Sequence, residues 1–281
     1  MLAEQPSSRE KPKKVCELNV KPTVLKLGGS VITQKGKALT PNLPAIRRLA
    51  REISEAKVSR LVIVHGGGSF GHPIAKQYNI KEGYRGFSQI IGFSKTHQAM
   101  TTLNKLVVDS LIRHNIPAVE IQPSSCIVTK RGRIQIMEQR PLTQLFEKGF
   151  VPVLYGDAVV DSDMGFAILS GDQLMTSLAI QLGADRMIIG VDVDGLYTAD
   201  PKADSSASLI QHLTLHELRG LQHKIEEAKV TDVTGGMLGK MLELMPAIEH
   251  GIRVTIVNAT KSGNVYKALR NEKVAGTIIE G

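Results

Sequence analysis

The sequence predicts an α/β protein: a three-layer αβα sandwich around a mainly parallel sheet. Short apolar runs of strand length alternate with helical stretches, as expected when helices connect parallel strands on both faces of a sheet. Two of the runs end in glycine-rich segments at positions where open α/β sheets bind ligands. The strand-length runs lie at residues 23–27, 61–65, 118–122, 151–155, 186–191 and 253–257.

The first long helix is predicted after the run at 23–27. We expect Thr40 to be its N-cap and Pro41 its first residue, because a side-chain oxygen and a fixed φ both favour a helix start. Apolar residues then recur every three or four positions from 43 to 53, which marks one face of the helix.

Two segments interrupt the alternation of strand and helix. Residues 127–136 and 158–168 are each predicted to form a hairpin about a polar turn, and the two hairpins are expected to lie over a substrate site above the sheet. Residues 1–21 are polar and contain several lysines, so they are predicted to form a flexible N-terminal extension. The folded domain is expected to span residues 22–281.

Composition argues against several classes of protein. The 281-residue chain has a net charge of +8, but its basic residues are scattered and only 5 Tyr and 6 Phe are available to stack on bases, so nucleic acid is not expected as a partner. Positive charge also suits an enzyme that handles polyphosphates. No apolar run approaches the roughly 20 residues of a membrane helix, so no membrane association is expected.

The cysteines and the N-terminus point to a reducing compartment. Cys16 and Cys126 have neither CxxC spacing nor a nearby histidine pair, which predicts no disulfide framework and no metal site. The N-terminal residues contain no apolar block of the kind found in a secretory signal. A cytoplasmic location is the expectation.

The most informative segment is residues 61–72, LVIVHGGGSFGH, in which a buried-strand pattern leads into three consecutive glycines. Glycine has no Cβ, so the backbone there can turn several N–H groups toward phosphate oxygens, and the N-terminus of a following helix adds partial positive charge. The segment predicts a phosphate-binding loop.

A similar segment comes earlier, at residues 23–30, and it has a lysine inside its predicted strand. Lys26 lies between Leu25 and Leu27, so its side chain is expected on the opposite face of the sheet, directed toward the glycines that follow. An edge-strand lysine in solvent is the alternative.

Four more segments carry possible chemistry. Tyr155-Gly156-Asp157 lies at the carboxyl end of a predicted strand, where open α/β sheets bind ligands. Ser170-Gly171-Asp172 opens a predicted helix, where Asp172 either orients a lysine or acts only on the helix dipole. Residues 192–201 form a polar loop after a strand, and residues 234–240 resemble a phosphate-binding turn entering a helix. Lys240 is there either a phosphate ligand or a surface lysine. Residues 66–71 match the glycine spacing of a dinucleotide-binding motif, but no acidic residue follows at the required distance. No segment has the sequence of a Walker A loop.

Five motifs, taken in this order, resemble the amino acid kinase family. They are Lys26-Leu-Gly-Gly-Ser30, His65-Gly-Gly-Gly68, Ser170-Gly-Asp172, Asp192-Val-Asp-Gly-Leu-Tyr197 and Gly235-Gly-Met-Leu-Gly-Lys240. The resemblance covers about residues 23–281. It implies the fold of that family, with an N-terminal part that binds the acceptor and a part from about 170 to 281 that binds the nucleotide. It also implies a homodimer.

His72 makes the resemblance specific to one branch of the family. A histidine here is similar to that of the family branch that phosphorylates isopentenyl phosphate, and fosfomycin kinases share it. The resemblance implies ATP-dependent conversion of isopentenyl phosphate to isopentenyl diphosphate in an alternative mevalonate route. A kinase of another phosphate or phosphonate acceptor, such as fosfomycin, and a non-catalytic nucleotide sensor of the same fold are the alternatives. The presence of Lys26, Lys35 and Lys240 favours catalysis over sensing.

The resemblance also implies individual roles in phosphoryl transfer. Lys26 and Lys240 would stabilise the transferred phosphoryl group, and Lys35 would assist in the transition state. Lys37 is an alternative to Lys35, since only Gly36 separates the two. Asp172 would position the lysines.

The remaining implied roles concern the two substrates. His72, with the backbone N–H groups of Gly67 and Gly171, would bind the acceptor phosphate. Mg²⁺ is expected as its ATP complex, without dedicated protein ligands. The residues implied at ATP are Lys26, Gly28, Gly29, Ser30, Gly68, Asp192, Gly235, Gly239 and Lys240.

Gln173 stands where many members of the family have a second aspartate, so the resemblance implies no role for a second carboxylate beside Asp172. The apolar residues between 83 and 93 are predicted to line a pocket for the prenyl tail of the acceptor.

Overall fold

A computed structural model describes residues 20–199, 204–220 and 237–281. The helices are α1 Gly29–Ile32, α2 Leu43–Ala56, α3 Gly68–Gln77, α4 Phe87–Arg113, α5 Pro123–Cys126, α6 Arg140–Glu147, α7 Gly171–Gln181, α8 residues 215–220, α9 Met237–Glu249 and α10 Asn264–Leu269, with a 3-10 turn at Ile80–Glu82. The strands are β1 Thr23–Leu27, β2 Leu61–His65, β3 Ala118–Glu120, β4 Ile127–Lys130, β5 Arg133–Met137, β6 Val151–Tyr155, β7 Asp157–Asp161, β8 Gly165–Leu169, β9 Arg186–Val191, β10 Leu196–Tyr197, β11 Leu209–Ile210, β12 His212–Thr214, β13 Arg253–Asn258 and β14 Gly276–Glu280.

Eight strands form the central sheet in the order β12-β14-β13-β9-β1-β2-β6-β3. Every neighbouring pair is parallel except β13 and β14. The predicted mainly parallel sheet is confirmed. Among the described residues, no helix has the length and apolarity needed to cross a membrane.

Helices cover both faces of the sheet, and the strands divide their side chains between two apolar cores. In β1, Val24 belongs to the core under α7 and α9, whereas Leu25 and Leu27 belong to the core under α2 and α4. This alternation is the period of two expected for a strand buried on both faces. Lys26 therefore lies on the α7 side of the sheet, as its spacing predicts.

The two predicted hairpins, β4–β5 and β7–β8, are also confirmed. They join into one four-stranded sheet, in the order β5-β4-β7-β8, through a parallel contact between β4 and β7. β7 begins two residues after β6 ends, so this smaller sheet leaves the central sheet at the carboxyl end of β6.

The predicted start of the first long helix is wrong. Asn42 is the N-cap of α2, and its side chain accepts a hydrogen bond from the Ala45 N–H at 3.4 Å. Pro41 instead forms an isolated antiparallel bridge with Thr33, and the Asn42 N–H donates to the Ile32 carbonyl at 2.8 Å. These contacts keep the chain extended through Pro41, and no sequence pattern indicates them.

Candidate functional site

The candidate site lies at the carboxyl ends of four adjacent strands, β9, β1, β2 and β6. The register pairs Leu27 with His65 and with Gly190, and His65 with Tyr155, so the four strands end at one level. Loops that are distant in sequence therefore meet along one edge of the sheet, where open α/β sheets bind ligands.

The two glycine segments, the first after β1 at residues 28–30 and the second after β2 at residues 66–68, pack backbone against backbone. A Cβ on Gly29 would lie 2.3 Å from the Gly68 nitrogen, and Gly68 has a φ of +47°. The Thr33 hydroxyl joins the segments, because it donates to the Gly29 carbonyl at 2.7 Å and accepts from the Ser69 N–H at 3.0 Å. Such close contact requires glycine and leaves the backbone polar groups concentrated at one place.

Two longer helices begin at these loops. Gly67 is the N-cap of α3, and Ser170 is the N-cap of α7, where its side chain accepts from the Gln173 N–H at 3.1 Å. The Sδ atom of Met100 in α4 supports the start of α3, since it lies 3.0 Å from the position of a Cβ on Gly67. The positive ends of both helix dipoles are thus directed at one region.

His65 supports the second glycine segment without adding charge. Its Nδ1 lies 3.1 Å from the Gly66 carbonyl and its Nε2 3.1 Å from the Asn104 side chain, and its ring stacks on Tyr155. Complete burial lowers the pKa of His65 to about 4, so the ring is neutral at pH 7.

These loops and helix starts surround a cavity of about 660 Å³. The structure brings most of the predicted site residues to its wall. The predicted residues that line it are Lys26, Gly28, Gly29, Ser30, Lys35, Gly67, Gly68, His72, Gly171, Asp172 and Lys240.

Lys26 and Asp172 form a buried ion pair between β1 and α7, with Lys26 Nζ donating to Asp172 Oδ1. Lys26 is only 6% exposed, which excludes the alternative of a solvent-facing edge lysine. Burial lowers the pKa of Lys26, Asp172 opposes that effect, and the nearby charge of Lys240 adds to it. An additional anion in the cavity would relieve this cost, since burying cations in low dielectric requires compensating charge.

A second carboxylate, Asp192, lies behind the first glycine segment. It accepts from the Ser30 hydroxyl at 2.9 Å and from Lys35 Nζ at 2.5 Å. Burial by itself would raise the pKa of Asp192, but the hydrogen bonds from Lys35 and Ser30 and the charge of Lys35 lower it below its ordinary value. Asp192 therefore contacts the cavity wall through Ser30 and Lys35. Lys37 also lines the cavity, so the choice between Lys35 and Lys37 stays a prediction.

His72 faces the cationic part of the cavity. Partial removal from solvent lowers the pKa of His72, and the positive charges of Lys240 and Lys26 lower it further. Lys240, on the first turn of α9, is close enough to affect both side chains. Three donors from three different elements thus face one space, which suits an anion with several oxygens.

Some predicted residues fall elsewhere. Gly235 lies outside the described residues. Gly239 is exposed on α9, and no atom lies within 4 Å of a Cβ placed there. The segment 83–93 contributes no residue to the wall of this cavity, where Ala75, Met100 and Ile168 lie instead, and its place beside the prenyl tail stays a prediction. Within that segment Phe87 is 74% exposed.

Sequence reasoning missed several residues that shape the site. Thr33 and Met100 support the glycine segments, and no local pattern marks either of them. His97 of α4 also went unnoticed: its Nδ1 lies 3.0 Å from Asp157, whose side chain is fully buried where β6 passes into β7. The pair connects α4 to the edge of the sheet beside the cavity.

The His97–Asp157 pair predicts a pH dependence of stability. The hydrogen bond to Asp157 raises the pKa of His97, and the charge of Glu120 contributes. A raised histidine pKa stabilises the fold fully below the ordinary value near 6.5, and this contribution is lost as pH rises through the folded-state pKa. Urea unfolding should show a larger stability difference between the native chain and His97→Gln at pH 6 than at pH 9. An equal difference at both pH values would contradict the ion pair.

Residues 21–258 match the model of the amino acid kinase family. This chain belongs to the amino acid kinase family. Isopentenyl phosphate kinase of Methanothermobacter thermautotrophicus is 42% identical over 270 residues, covering 92% of this chain and 98% of that protein. Isopentenyl phosphate kinase of Methanocaldococcus jannaschii is 35% identical, with 92% and 98% covered. A solved structure of isopentenyl phosphate kinase has a TM-score of 0.81 at 38% identity, with 92% and 99% covered.

These comparisons confirm the predicted family and the αβα fold class. In this amino acid kinase, motifs of the resemblance lie at the ends of β1, β2 and β9, and the motif that begins at Ser170 follows β8 of the smaller sheet.

Proposed function

We propose that this chain is an isopentenyl phosphate kinase, which transfers the γ-phosphoryl group of ATP to isopentenyl phosphate and forms isopentenyl diphosphate and ADP. The observation that carries the proposal is that Lys26, Lys240 and His72 line one cavity beside the two glycine segments. The relatives of that name support the choice of acceptor.

The reaction needs positioning and charge more than proton transfer. A phosphate monoester, with a second pKa near 6, is largely dianionic at pH 7, so its oxygen can attack the γ-phosphorus without a general base. A new P–O bond forms to that oxygen, the bond from the γ-phosphorus to the bridging oxygen breaks, and ADP leaves with the electron pair. Lys26 and Lys240 neutralise the charge on the transferred group, and Lys35 assists.

His72 donates a hydrogen bond to the acceptor phosphate, together with the N–H groups of Gly67 and Gly171. The phosphate charge opposes the effect of the neighbouring lysines on His72, so binding and protonation of the ring support each other. The glycine segment after β1 and the start of α9 hold the ATP phosphates. The apolar wall at Ile168 receives the hydrocarbon tail.

Mg²⁺ enters as the ATP complex in this proposal. Among the described residues, no three His, Cys, Asp or Glu side chains are grouped as metal ligands. The two carboxylates nearest the lysines, Asp172 and Asp192, are paired with Lys26 and Lys35. This arrangement fits an ion held mainly by phosphate oxygens and water, which is common for Mg²⁺.

Three broader parts of the proposal extend beyond the cavity. The N-terminal part of the domain binds the acceptor, and the part from about 170 to 281 binds the nucleotide. The chain forms a homodimer and acts in the cytoplasm.

The experiment that tests the function measures ADP release from Mg-ATP with four acceptors offered separately at matched concentrations: isopentenyl phosphate, fosfomycin, acetylglutamate and uridine monophosphate. Turnover confined to isopentenyl phosphate is the expected result. Turnover with only one of the other acceptors would overturn the proposal and retain the family.

His72→Ala is expected to weaken acceptor binding while ATP binding is largely kept. Loss of one donor to a charged phosphate should raise the KM for isopentenyl phosphate roughly tenfold or more. His250→Ala is the matched control, because His250 is exposed near the opposite end of α9 from Lys240. Steady-state kinetics with each substrate varied would detect the change, and equal losses in ATP and acceptor affinity would contradict the assigned role.

A further inference from the structure

We propose that Gln173 is a positioning residue for phosphoryl transfer, because it fixes the β4–β5 hairpin against α7 and thereby sets the place of α9, the helix that carries Lys240. The inference rests on the proposed function. Gln173 stands where many members of the family have a second aspartate, and the inference assigns it a role that an aspartate could not perform.

The Gln173 side chain makes two hydrogen bonds of opposite sense to the hairpin. Its Oε1 accepts from the Ile134 N–H at 2.8 Å, and its Nε2 donates to the Gly132 carbonyl at 3.0 Å. Gln173 is buried, and it is the immediate neighbour of Asp172. A carboxylate at this position has no hydrogen to give the Gly132 carbonyl, so only an amide satisfies both partners.

The hairpin turn is held from its other side as well. Arg131 and Gly132 both have positive φ, as in the two-residue turns that connect tightly paired strands. Their N–H groups donate to the Asp161 carboxylate of β7 at 3.1 and 2.8 Å. Gln173 thus binds a turn that Asp161 already holds in one conformation. A movement of α7 would therefore displace the hairpin as a unit.

Arg133 at the start of β5 joins the hairpin to α9. Arg133 Nη1 lies 2.6 Å from Glu243 Oε1 and 2.9 Å from Oε2. The backbone carbonyl of the same Glu243 accepts from the buried Thr176 hydroxyl of α7 at 2.8 Å. Glu243 is therefore held by both the hairpin and α7. The contacts of Gln173, Arg133, Thr176 and Glu243 join the hairpin, α7 and α9 to one another, and we call this set of contacts the bracket.

The bracket ends one helical turn from Lys240. Residues three apart lie on neighbouring positions of a helix face, so fixing Glu243 fixes the axial position and rotation of α9 at Lys240. The bracket also includes Gln173 of α7, which is adjacent in sequence to Asp172, the residue that pairs with Lys26. Contacts made outside the cavity thus contribute to the separation between Lys26 and Lys240. Small errors in such a separation are costly in rate.

The test compares variants at both links of the bracket. Gln173→Met removes both hydrogen bonds, whereas Gln173→Glu keeps the acceptor, removes the donor and places a negative charge against the Gly132 carbonyl. Both are expected to lower kcat by roughly tenfold or more, with KM values for ATP and acceptor changed less than about threefold. Arg133→Glu and Glu243→Arg should each lower kcat by a smaller factor, and the double variant should restore it, because the exchanged pair remakes the contact.

Arg131→Ala is the matched control, since Arg131 belongs to the same turn but pairs at 2.8 Å with Asp163 of the hairpin sheet, away from α9. It should leave kcat unchanged. Circular dichroism and thermal melts check that the Gln173 variants fold. If the Gln173 variants do not fold, recovery of kcat in the double variant that exchanges Arg133 and Glu243 is the test of the bracket, because this pair is exposed. Native kcat in folded variants, or no recovery in the exchange, would overturn the bracket.

The two proposals fail differently. All rates are measured on the acceptor that the native chain phosphorylates in the four-acceptor assay. Turnover of a different acceptor would overturn the proposed function while the kcat comparison still decides the bracket. Native activity on none of the four would overturn both.

Discussion

Lys26→Met is expected to remove most turnover and to lower the free energy of unfolding. Breaking a buried ion pair by deleting one partner typically costs about 3–5 kcal/mol, because the other charge is left buried without compensation. Asp172 would be left in that state. Loss of one donor to the transferred phosphoryl group should lower kcat roughly a hundred- to a thousandfold. Steady-state kinetics and urea unfolding would measure the two effects.

A double variant separates these effects. Lys26→Met with Asp172→Leu replaces both charges by apolar groups, which is often close to neutral for stability. It should recover most of the lost free energy of unfolding and none of the turnover. Recovery of turnover along with stability would mean that Lys26 supports the fold and does not act on phosphate.

Gly29→Ala is expected to disrupt the site through the backbone. Its Cβ would lie 2.3 Å from the Gly68 nitrogen and 2.7 Å from its Cα, so the two glycine segments would have to separate. Overpacking of this kind costs about 1–3 kcal/mol. A displacement of about 1 Å at the phosphate groups should lower turnover roughly a hundredfold. Kinetics and calorimetric titration with Mg-ATP would measure the change.

Gly86→Ala is the control for this substitution. Nothing lies within 4 Å of a Cβ at Gly86, and its φ of 167° is extended backbone that any residue adopts. It should leave activity and stability close to those of the native chain. Equal losses in the two alanine variants would show that the close approach of the glycine segments does not decide the effect at Gly29.

Much of the fold was predictable because its signals are local. The apolar runs have strand length and period, and the two hairpins are short segments about a polar turn, so both appear in the sequence itself. The position of Lys26 followed from alternation alone. The start of α2 was not predictable in this way, because Thr40 and Asn42 are both good N-caps and the bridge from Pro41 to Thr33 decides between them.

The apolar segment 83–93 shows a second limit. Its residues indicate a helix with an apolar face, but the pattern does not say which surface that face covers. In the fold Phe93 packs against Phe166 of β8, behind the wall that Ile168 presents to the cavity. Which apolar residues reach the substrate depends on how α4 and the hairpin sheet meet.

The sequence by itself determined the order of strands and helices, the two glycine segments and the family motifs, because each depends on residues close together along the chain. Only the tertiary structure decided which charges pair. Lys26 and Asp172 are 146 residues apart, and Lys35 and Asp192 are 157 apart. The task of Gln173 likewise depends on a hairpin some forty positions away, and its amide fits there because both a donor and an acceptor of that turn face it.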